Sequence, residues 1–265
     1  MKQRKGGTMQ QDKDSIDINR YLNYSGPDQV VTSFELDDIL AQSSDQALCV
    51  KSKMPTLDRL LEGFESGELI AISGPRKSGK TLFAQSLTVG FLPIKSLWFS
   101  YELTLKQFLR TFPELPLFIS PLKLKAYSLP WLKERILEAL FKHGIGVVFI
   151  DHLHFLFDMV RAKNTSLEIG QVVRFLKGIA IEYNLIIFLL CHMRKVDLKE
   201  EPTDADVRDS SLVSSESDTG LILWRLVDTE NQAMVKVSYS RRTGVLDKTF
   251  KVAKINGLLR EVQDE

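Results

Sequence analysis

The residues best suited to chemistry lie in one short run that matches the phosphate-binding pattern G-x-x-x-x-G-K-[ST]. With the residue that follows it, the run comprises Gly74, Pro75, Arg76, Lys77, Ser78, Gly79, Lys80, Thr81 and Leu82. Its glycines let backbone N–H groups close around phosphate oxygens. Its lysine can reach the β- and γ-phosphates of a nucleotide, and its threonine hydroxyl can bind Mg²⁺. The run therefore predicts a nucleotide and Mg²⁺ site, although a kinase, a GTPase or a transporter could carry the same loop.

The segments on either side of this loop suit its chemistry. Leu69–Ser73 is an apolar run typical of a buried strand, and Thr81–Phe91 has the pattern of a helix. A helix that starts directly after the loop adds unpaired N–H groups and the positive end of its dipole. The strand–loop–helix order therefore argues against a chance match.

Three further polar residues follow predicted strands: Glu102, Asp151 and His192. Because ligands of open α/β sheets bind at the carboxyl ends of strands, we expect these side chains near the loop. Asp151 is a candidate Mg²⁺ ligand beside Thr81. Glu102 is a candidate base for an attacking water, with a surface acid that caps the next helix as the alternative. His192 could sense the γ-phosphate, with a structural histidine as the alternative.

The apolar pattern predicts an α/β fold whose sheet is mainly parallel and twisted, with helices on both faces. The predicted strands are Leu69–Ser73, Ser96–Ser100, Gly146–Ile150, Leu185–Cys191, Leu221–Leu226 and Met234–Ser240. The predicted helices between them are Thr81–Phe91, Thr104–Thr111, Pro130–Lys142 and Ser166–Asn184, the last with Leu167 on its buried face. Turn residues at 241–244 and 256–257 favour a small antiparallel C-terminal addition at one edge.

Composition and charge exclude several classes of protein. The 265 residues are 44% hydrophobic with a net charge of +1, so a large core is available and no global basic field attracts nucleic acid. Two cysteines cannot form a disulfide framework, and no run of apolar residues suits a signal peptide or a membrane span. The four histidines lack zinc spacing, although His152 and His154 follow a predicted strand two residues apart.

Three segments are predicted along the chain. Residues 1–29 are polar and are expected to form a mobile arm. Residues 30–54 read as a linker with a short amphipathic helix over Val30–Gln42, for which Ser33 is a candidate cap. Residues 55–265 form the main predicted domain.

Taken in order, these motifs resemble the RecA-like, P-loop motor domain of the hexameric replicative helicases, the family of the bacterial DnaB type, the phage primase–helicases and the Twinkle-like helicase. Phe99-Ser-Tyr-Glu-Leu103 is similar to the family's Phe-Ser-Leu-Glu-Met motif, whose Glu activates water. Val148-Phe-Ile-Asp-His-Leu153 resembles the strand that supplies the Mg²⁺ ligand, and Cys191-His-Met-Arg194 resembles the phage form of the phosphate-sensor motif. The likeness covers residues 55 to about 255 and lacks the family's N-terminal helical domain.

The resemblance also implies residues that bind single-stranded DNA. The segment from Asp206 to Asp218 is similar to the family's loop that lines the central channel of the ring. By position it implies DNA contacts for Arg208, Asp209 and Ser211, and the other channel loop offers Arg161, Lys163 and Asn164. Neither loop holds an aromatic residue, so backbone contacts that weaken with salt are expected in place of base stacking. The alternative is that these are ordinary solvated side chains.

The family's last motif contributes an arginine to the ATP site of a neighbouring subunit. Here Tyr239-Ser-Arg-Arg-Thr-Gly244 has the arginines but a tyrosine where the family has a lysine. Arg241 is the better candidate by its distance from the strand, with Arg242 close behind. At this position the chain therefore lacks the lysine that the family uses for a second contact across the subunit boundary.

The resemblance implies an ATP- and Mg²⁺-dependent motor that forms a ring, expected to be a hexamer, and unwinds DNA in the 5′-to-3′ direction. Its implied partners are single-stranded DNA, further copies of the chain and primase or loader proteins. A cytoplasmic protein of bacterial, phage or plasmid origin, or one of an organelle matrix, is expected. Two alternatives stay open: a RecA-like ATPase of recombination-mediator or regulatory type that does not unwind DNA, and an assembly subunit with little turnover.

Overall fold

The fold was obtained as a computed structural model, which describes residues 18–26, 28–42, 47–157, 165–193, 201–203, 206, 210–226, 229 and 231–262. The chain divides into two compact units, Met1–Gln46 and Ala47–Glu265. Among the described residues, no helix combines the length and apolar character needed to cross a membrane.

The first unit contains the helices α1 (Ile18–Leu22) and α2 (Ser33–Gln42), neither of which buries a side chain. The predicted cap of α2 is wrong by one position. Thr32 Oγ1 accepts from the Glu35 N–H at 3.3 Å, and Glu35 Oε2 accepts from the Thr32 N–H at 2.8 Å. Ser33 is the first helical residue because this reciprocal pair satisfies the free N–H groups of the first turn.

The second unit is built on a nine-stranded sheet. Its helices are α3 (Pro55–Leu61), α4 (Lys80–Gly90), α5 (Leu105–Leu109), α6 (Leu129–His143), α7 (Thr165–Glu182) and α8 (Ser210–Glu216). The strands of the unit are β1 (Cys49–Val50), β2 (Phe64–Glu65), β3 (Leu69–Ser73), β4 (Lys95–Ser100), β5 (Phe118–Ile119), β6 (Ile145–Asp151), β7 (Ile186–Leu190), β8 (Thr219–Arg225), β9 (Gln232–Ser240), β10 (Leu246–Ile255) and β11 (Leu258–Val262).

The order of strands in the large sheet is β11-β10-β9-β8-β3-β7-β6-β4-β5. Strands β8 to β5 in this order pair in parallel, and β9, β10 and β11 are antiparallel additions at one edge. The predicted α/β fold, with its parallel sheet and antiparallel C-terminal strands, is confirmed. Strands β1 and β2 form a separate antiparallel pair, so the compact unit begins before the predicted boundary at residue 55.

Two apolar cores cover the two faces of the sheet. Alternate residues of β3 point to opposite faces, so Ile70 and Ile72 join the core under α4, whereas Leu69 and Ala71 join the core under α6 and α7. Both faces of the parallel strands are therefore covered. The predicted burial of Leu167 is wrong, because this residue lies near the start of α7 with 58% of its surface exposed.

Candidate functional site

The phosphate-binding loop lies between β3 and α4, as its pattern predicts. Gly74 runs so close to β8 that a β-carbon there would clash with the Leu223 carbonyl oxygen. Gly79 and Lys77 have φ angles of 99° and 63°, in the left-handed region. The close backbone approach explains Gly74, and the left-handed conformation explains Gly79. The first N–H groups of α4 have no partner within the helix and can bind phosphate oxygens.

Lys80, the first residue of α4, is buried inside the loop. Its Nζ donates to the carbonyl oxygens of Gly74 and Pro75, each at 2.9 Å. Burial lowers the pKa of Lys80, while the carboxylates of Asp151 and Glu102 act in the opposite direction. The other loop side chains divide by burial: Ser78 is buried, Pro75 and Leu82 are half-buried, and Arg76 and Lys77 are exposed.

Thr81 and Asp151 meet at the carboxyl ends of β3 and β6. Thr81 Oγ1 donates to Asp151 Oδ2 at 2.8 Å, and the Asp151 side chain is fully buried. Among the described residues, no group makes a hydrogen bond to its other oxygen, Oδ1. A buried carboxylate oxygen without a hydrogen bond, beside a threonine hydroxyl, is the set of hard oxygen ligands that Mg²⁺ prefers. The residues present therefore fit a Mg²⁺ ion.

The structure also shows that Glu102 and His192 are in contact. The sequence predicted only that both lie at the same edge of the sheet. His192 Nε2 lies 3.3 Å from Glu102 Oε1. Burial, followed by the charges of His152 and Lys80, lowers the pKa of His192, which keeps its imidazole neutral.

His152 is a member of this site that the sequence analysis did not assign. Its side chain is 2% exposed, and its Nε2 lies 2.9 Å from Glu102 Oε1. Its ring centroid is 3.9 Å from that of His192, and its Nδ1 is 2.9 Å from Asp151 Oδ1. His152 thus stands between the Mg²⁺ candidate and the candidate base. Its place directly after a strand-ending aspartate was the one available signal.

The two arginines lie at the opposite end of β3 from the loop. The backbone N–H of Arg241 donates to the Asp218 carbonyl oxygen, and Asp218 in turn pairs with Leu69, the first residue of β3. The length of β3 therefore separates the arginines from the loop of their own chain by about 13–17 Å. The guanidinium of Arg241 is exposed and donates to the Ser215 carbonyl oxygen.

Arg242 is held by its own chain. Its Nε donates to Glu68 Oε1 at 2.8 Å, and its Nη2 donates to the carbonyl oxygens of Leu61 and Gly63 at 2.6 and 2.7 Å. Its Nη1 lies 3.2 Å from Glu65 Oε1. These contacts give the side chain a structural role within one subunit. They leave Arg241 as the arginine that is available to a neighbour.

The predicted DNA-contact residues fall outside the described part of the chain. This holds for Arg161, Lys163, Asn164, Arg208 and Asp209. Ser211 belongs to α8, but its side chain is not described. Helix α7 begins at the residue after Asn164, and α8 lies inside the second predicted channel loop, Asp206–Asp218.

Comparisons with known proteins agree with this fold. The chain is 23% identical to the replicative DNA helicase DnaB of Rickettsia typhi, with 81% of this chain and 53% of the relative covered. It is 27% identical to a probable replicative DNA helicase of Trieres chinensis, with 64% and 46% covered. The chain thus spans about half the length of the curated relatives it matches.

Solved structures give the same picture of the fold. One is a structure of a DnaB-like replicative helicase and its interactions with primase. It superposes on this chain with a TM-score of 0.69 at 18% identity, and the superposition covers 87% of this chain and 67% of that one. A second solved structure, of a separate ATPase domain, superposes with a TM-score of 0.67 at 18% identity, with 87% and 97% covered.

A family model also matches the chain and identifies its family. The model of the DnaB-like helicase C-terminal domain matches residues 103–255, more than half of the chain. This range includes Asp151, His192 and both arginines, whereas the phosphate-binding loop and Glu102 precede it. The chain belongs to the family of DnaB-like helicase C-terminal domains.

Proposed function

We propose that this chain is the ATP-driven motor of a ring helicase that moves on single-stranded DNA. One observation carries the proposal: five side chains from four segments converge at one edge of the parallel sheet. They are Lys80, Thr81, Glu102, Asp151 and His192. This set has a phosphate ligand, oxygen ligands for a cation and a carboxylate that can accept a proton, which together suffice for hydrolysis of a nucleoside triphosphate.

Each residue has a role that follows from its position. The loop N–H groups and Lys80 bind the β- and γ-phosphates of ATP. Thr81 and Asp151 hold Mg²⁺, which neutralises charge on the phosphate oxygens when it is bound. Glu102, whose side chain is 41% exposed, accepts a proton from the water that attacks the γ-phosphorus. His192 contacts Glu102 and can donate a hydrogen bond toward the γ-phosphate, so it is the proposed sensor.

A ring of subunits follows from the place of Arg241. This side chain is exposed at the end of β3 that lies away from the loop, so it cannot serve the site of its own chain. In a closed ring it would reach the γ-phosphate bound by the next subunit, where an arginine is worth about 10³–10⁵ in rate. We propose a hexamer of this kind, as the resemblance implies.

DNA binding is proposed through the two channel loops, with Arg161, Lys163, Asn164, Arg208, Asp209 and Ser211 as the contacts. Helix α7 follows the first of these loops and α8 lies within the second, and both helices pack on the sheet that carries the ATP site. Movement in the 5′-to-3′ direction, a cytoplasmic or organelle-matrix location, and primase or loader proteins as partners complete the proposal. The relatives named replicative DNA helicase support it.

The test is strand displacement on a forked duplex, together with ATP hydrolysis measured with and without single-stranded DNA. We expect Mg²⁺-dependent hydrolysis that DNA stimulates. The variant E102Q should lose about 10²–10⁴ of the hydrolysis rate and still bind nucleotide, because it loses only the proton acceptor. The exposed Glu114 provides the matched control, E114Q, which should behave as wild type.

Two results would contradict the proposal in different ways. Wild-type protein that hydrolyses no ATP with DNA present would exclude a motor. Hydrolysis that is independent of DNA, with no displaced strand, would favour the regulatory or recombination-mediator alternative.

A further inference from the structure

We propose that Glu102, His152 and His192 form a binding site for a transition-metal ion such as Zn²⁺. The bound ion would stop hydrolysis because it takes the carboxylate of Glu102, the proposed catalytic base, as a ligand. The second half of this inference rests on the proposed function, whereas the metal site itself does not. The site is distinct from the Mg²⁺ position at Thr81 and Asp151.

The donor atoms already have the spacing that a metal requires. Glu102 Oε1 lies 2.9 Å from His152 Nε2 and 3.3 Å from His192 Nε2, and the three donor atoms all lie within 4.8 Å of one another. Two ligands of a tetrahedral zinc ion with bonds of about 2.0–2.1 Å are separated by about 3.3 Å. The three side chains therefore need only small movements to share one ion.

The burial of the three residues suits a metal site with two fixed imidazole ligands and one side that is open to solvent. His152 is 2% exposed and His192 is 22% exposed, so both imidazoles are positioned before an ion arrives. Glu102 is 41% exposed and leaves a side from which an ion and a water ligand can enter. Two imidazoles, one carboxylate and one open position match the ligand set of open zinc sites.

Asp151 lies beside the other nitrogen of the His152 ring, Nδ1. Its Oδ1 lies 2.9 Å from His152 Nδ1, close but not aligned as a hydrogen bond. A carboxylate on this side of the ring favours the tautomer with its proton on Nδ1, which leaves the Nε2 lone pair for a metal. A small rotation of the ring would complete the carboxylate–histidine–metal chain.

The chemistry of the ligands separates this site from the Mg²⁺ site. Imidazole nitrogen binds zinc, copper, nickel and cobalt well, whereas Mg²⁺ prefers oxygen ligands. A metal bound here would hold the Glu102 carboxylate as a ligand, so this group could not accept a proton from water. Lys80 and the loop N–H groups would stay free to bind phosphate. The metal would also take up His192, the proposed γ-phosphate sensor, so the expected inhibition lowers turnover while Lys80 and the loop still hold the nucleotide.

Metal binding can be measured directly on the chelator-treated full chain without nucleotide. Co²⁺ should give visible absorption bands typical of four-coordinate nitrogen and oxygen ligands, saturating at one ion per chain, and Zn²⁺ should displace it. The variants H152Q and H192Q, and E102Q with its exposed side chain, should each weaken Zn²⁺ binding by about 100-fold or more. The matched control is H143Q, because His143 is exposed on α6 away from the site. Circular dichroism of each variant checks that it folds.

The metal site is refuted if Co²⁺ gives no such bands, or if none of the three site variants changes the affinity. Hydrolysis with Mg²⁺ in the presence of a zinc chelator tests the proposed function separately. If the chain hydrolyses ATP but binds no Co²⁺, only the metal-site hypothesis is refuted. If it binds Co²⁺ specifically but hydrolyses no ATP, only the proposed function is refuted. Zn²⁺ that fills the site in the Co²⁺ displacement assay without lowering the rate of ATP hydrolysis by the wild-type chain would overturn the regulatory half of the inference.

Discussion

The contacts of Arg242 make replacement by alanine a test of stability and not of catalysis. The guanidinium follows the end of β9 and contacts two turns: the one after α3, through the carbonyl oxygens of Leu61 and Gly63, and the one before β3, through the carboxylate of Glu68. The side chains of Arg242 and Glu68 are only 25% and 10% exposed. The variant R242A should therefore unfold more easily, because it leaves a nearly buried carboxylate and two carbonyl groups without these donors.

The size of the effect follows from what is left unpaired. A hydrogen bond to a charged group is worth about 1.5–3 kcal/mol, and breaking a fully buried ion pair costs about 3–5 kcal/mol. Water can replace part of the loss at Arg242, so we expect a decrease of about 2–4 kcal/mol in the free energy of unfolding. For a domain of this size each kcal/mol shifts Tm by about 2–4 °C, so a decrease of about 4–16 °C is expected.

The assay is urea and thermal unfolding without nucleotide, at a protein concentration where the chain is monomeric. The neighbouring variant R241A is the matched control: its guanidinium is exposed, so Tm should change by less than about 2 °C. R241A should nevertheless lose hydrolysis in the assembled protein. If R242A kept its Tm within about 2 °C of wild type while hydrolysis was abolished, the structural reasoning would be refuted and Arg242 would become the trans arginine.

Two further substitutions test the core and the loop. Thr88→Val removes the acceptor of the buried Trp98 indole N–H, a bond of 3.0 Å, so it should destabilise by about 1–3 kcal/mol in urea unfolding, and Thr88→Ser should restore most of the loss. Equal urea midpoints for all three proteins would contradict this. Gly74→Ala should abolish ATP binding in a fluorescent-nucleotide titration, because its methyl group would clash with the Leu223 carbonyl oxygen. Gly178→Ala is the control, because beyond the neighbouring residues and backbone of its own helix nothing lies within 4 Å of the added methyl group. It should bind ATP normally and raise the free energy of unfolding by about 0.5–1 kcal/mol. Unimpaired binding by Gly74→Ala would contradict the close approach.

The parts of the site that are local in sequence were predictable. The loop from Gly74 to Thr81 carries its own geometry, because glycine positions and the following helix start are set within a few residues. The strand ending at Asp151 was recognisable because a continuous apolar run stops at a carboxylate. The alternation of strands and helices likewise predicted a parallel sheet, since parallel strands need a long crossover connection, which is usually a helix.

The parts that depend on distant packing were not predictable. The role of His152 is an example, because its contacts with Glu102 and His192 come from three strands that are far apart in sequence. The contacts of Arg242 are another, because its hydrogen bonds to Glu68 and to the carbonyl groups of Leu61 and Gly63 join segments that are far apart in sequence. Leu167 fits the helical period, yet it lies near the start of α7 and remains exposed.

The sequence by itself thus determined the phosphate loop, the succession of strands and helices along the chain, and the edge of the sheet where the site lies. Hydrophobic period, glycine placement and strand-ending carboxylates act over short stretches of chain, so one sequence suffices to read them. Only the tertiary structure decided which polar side chains touch: Asp151 with Thr81, Glu102 with two imidazoles, and Arg242 with Glu68. The physical reason is that such contacts depend on strand order and register, which place atoms within about 3 Å only after the sheet has formed.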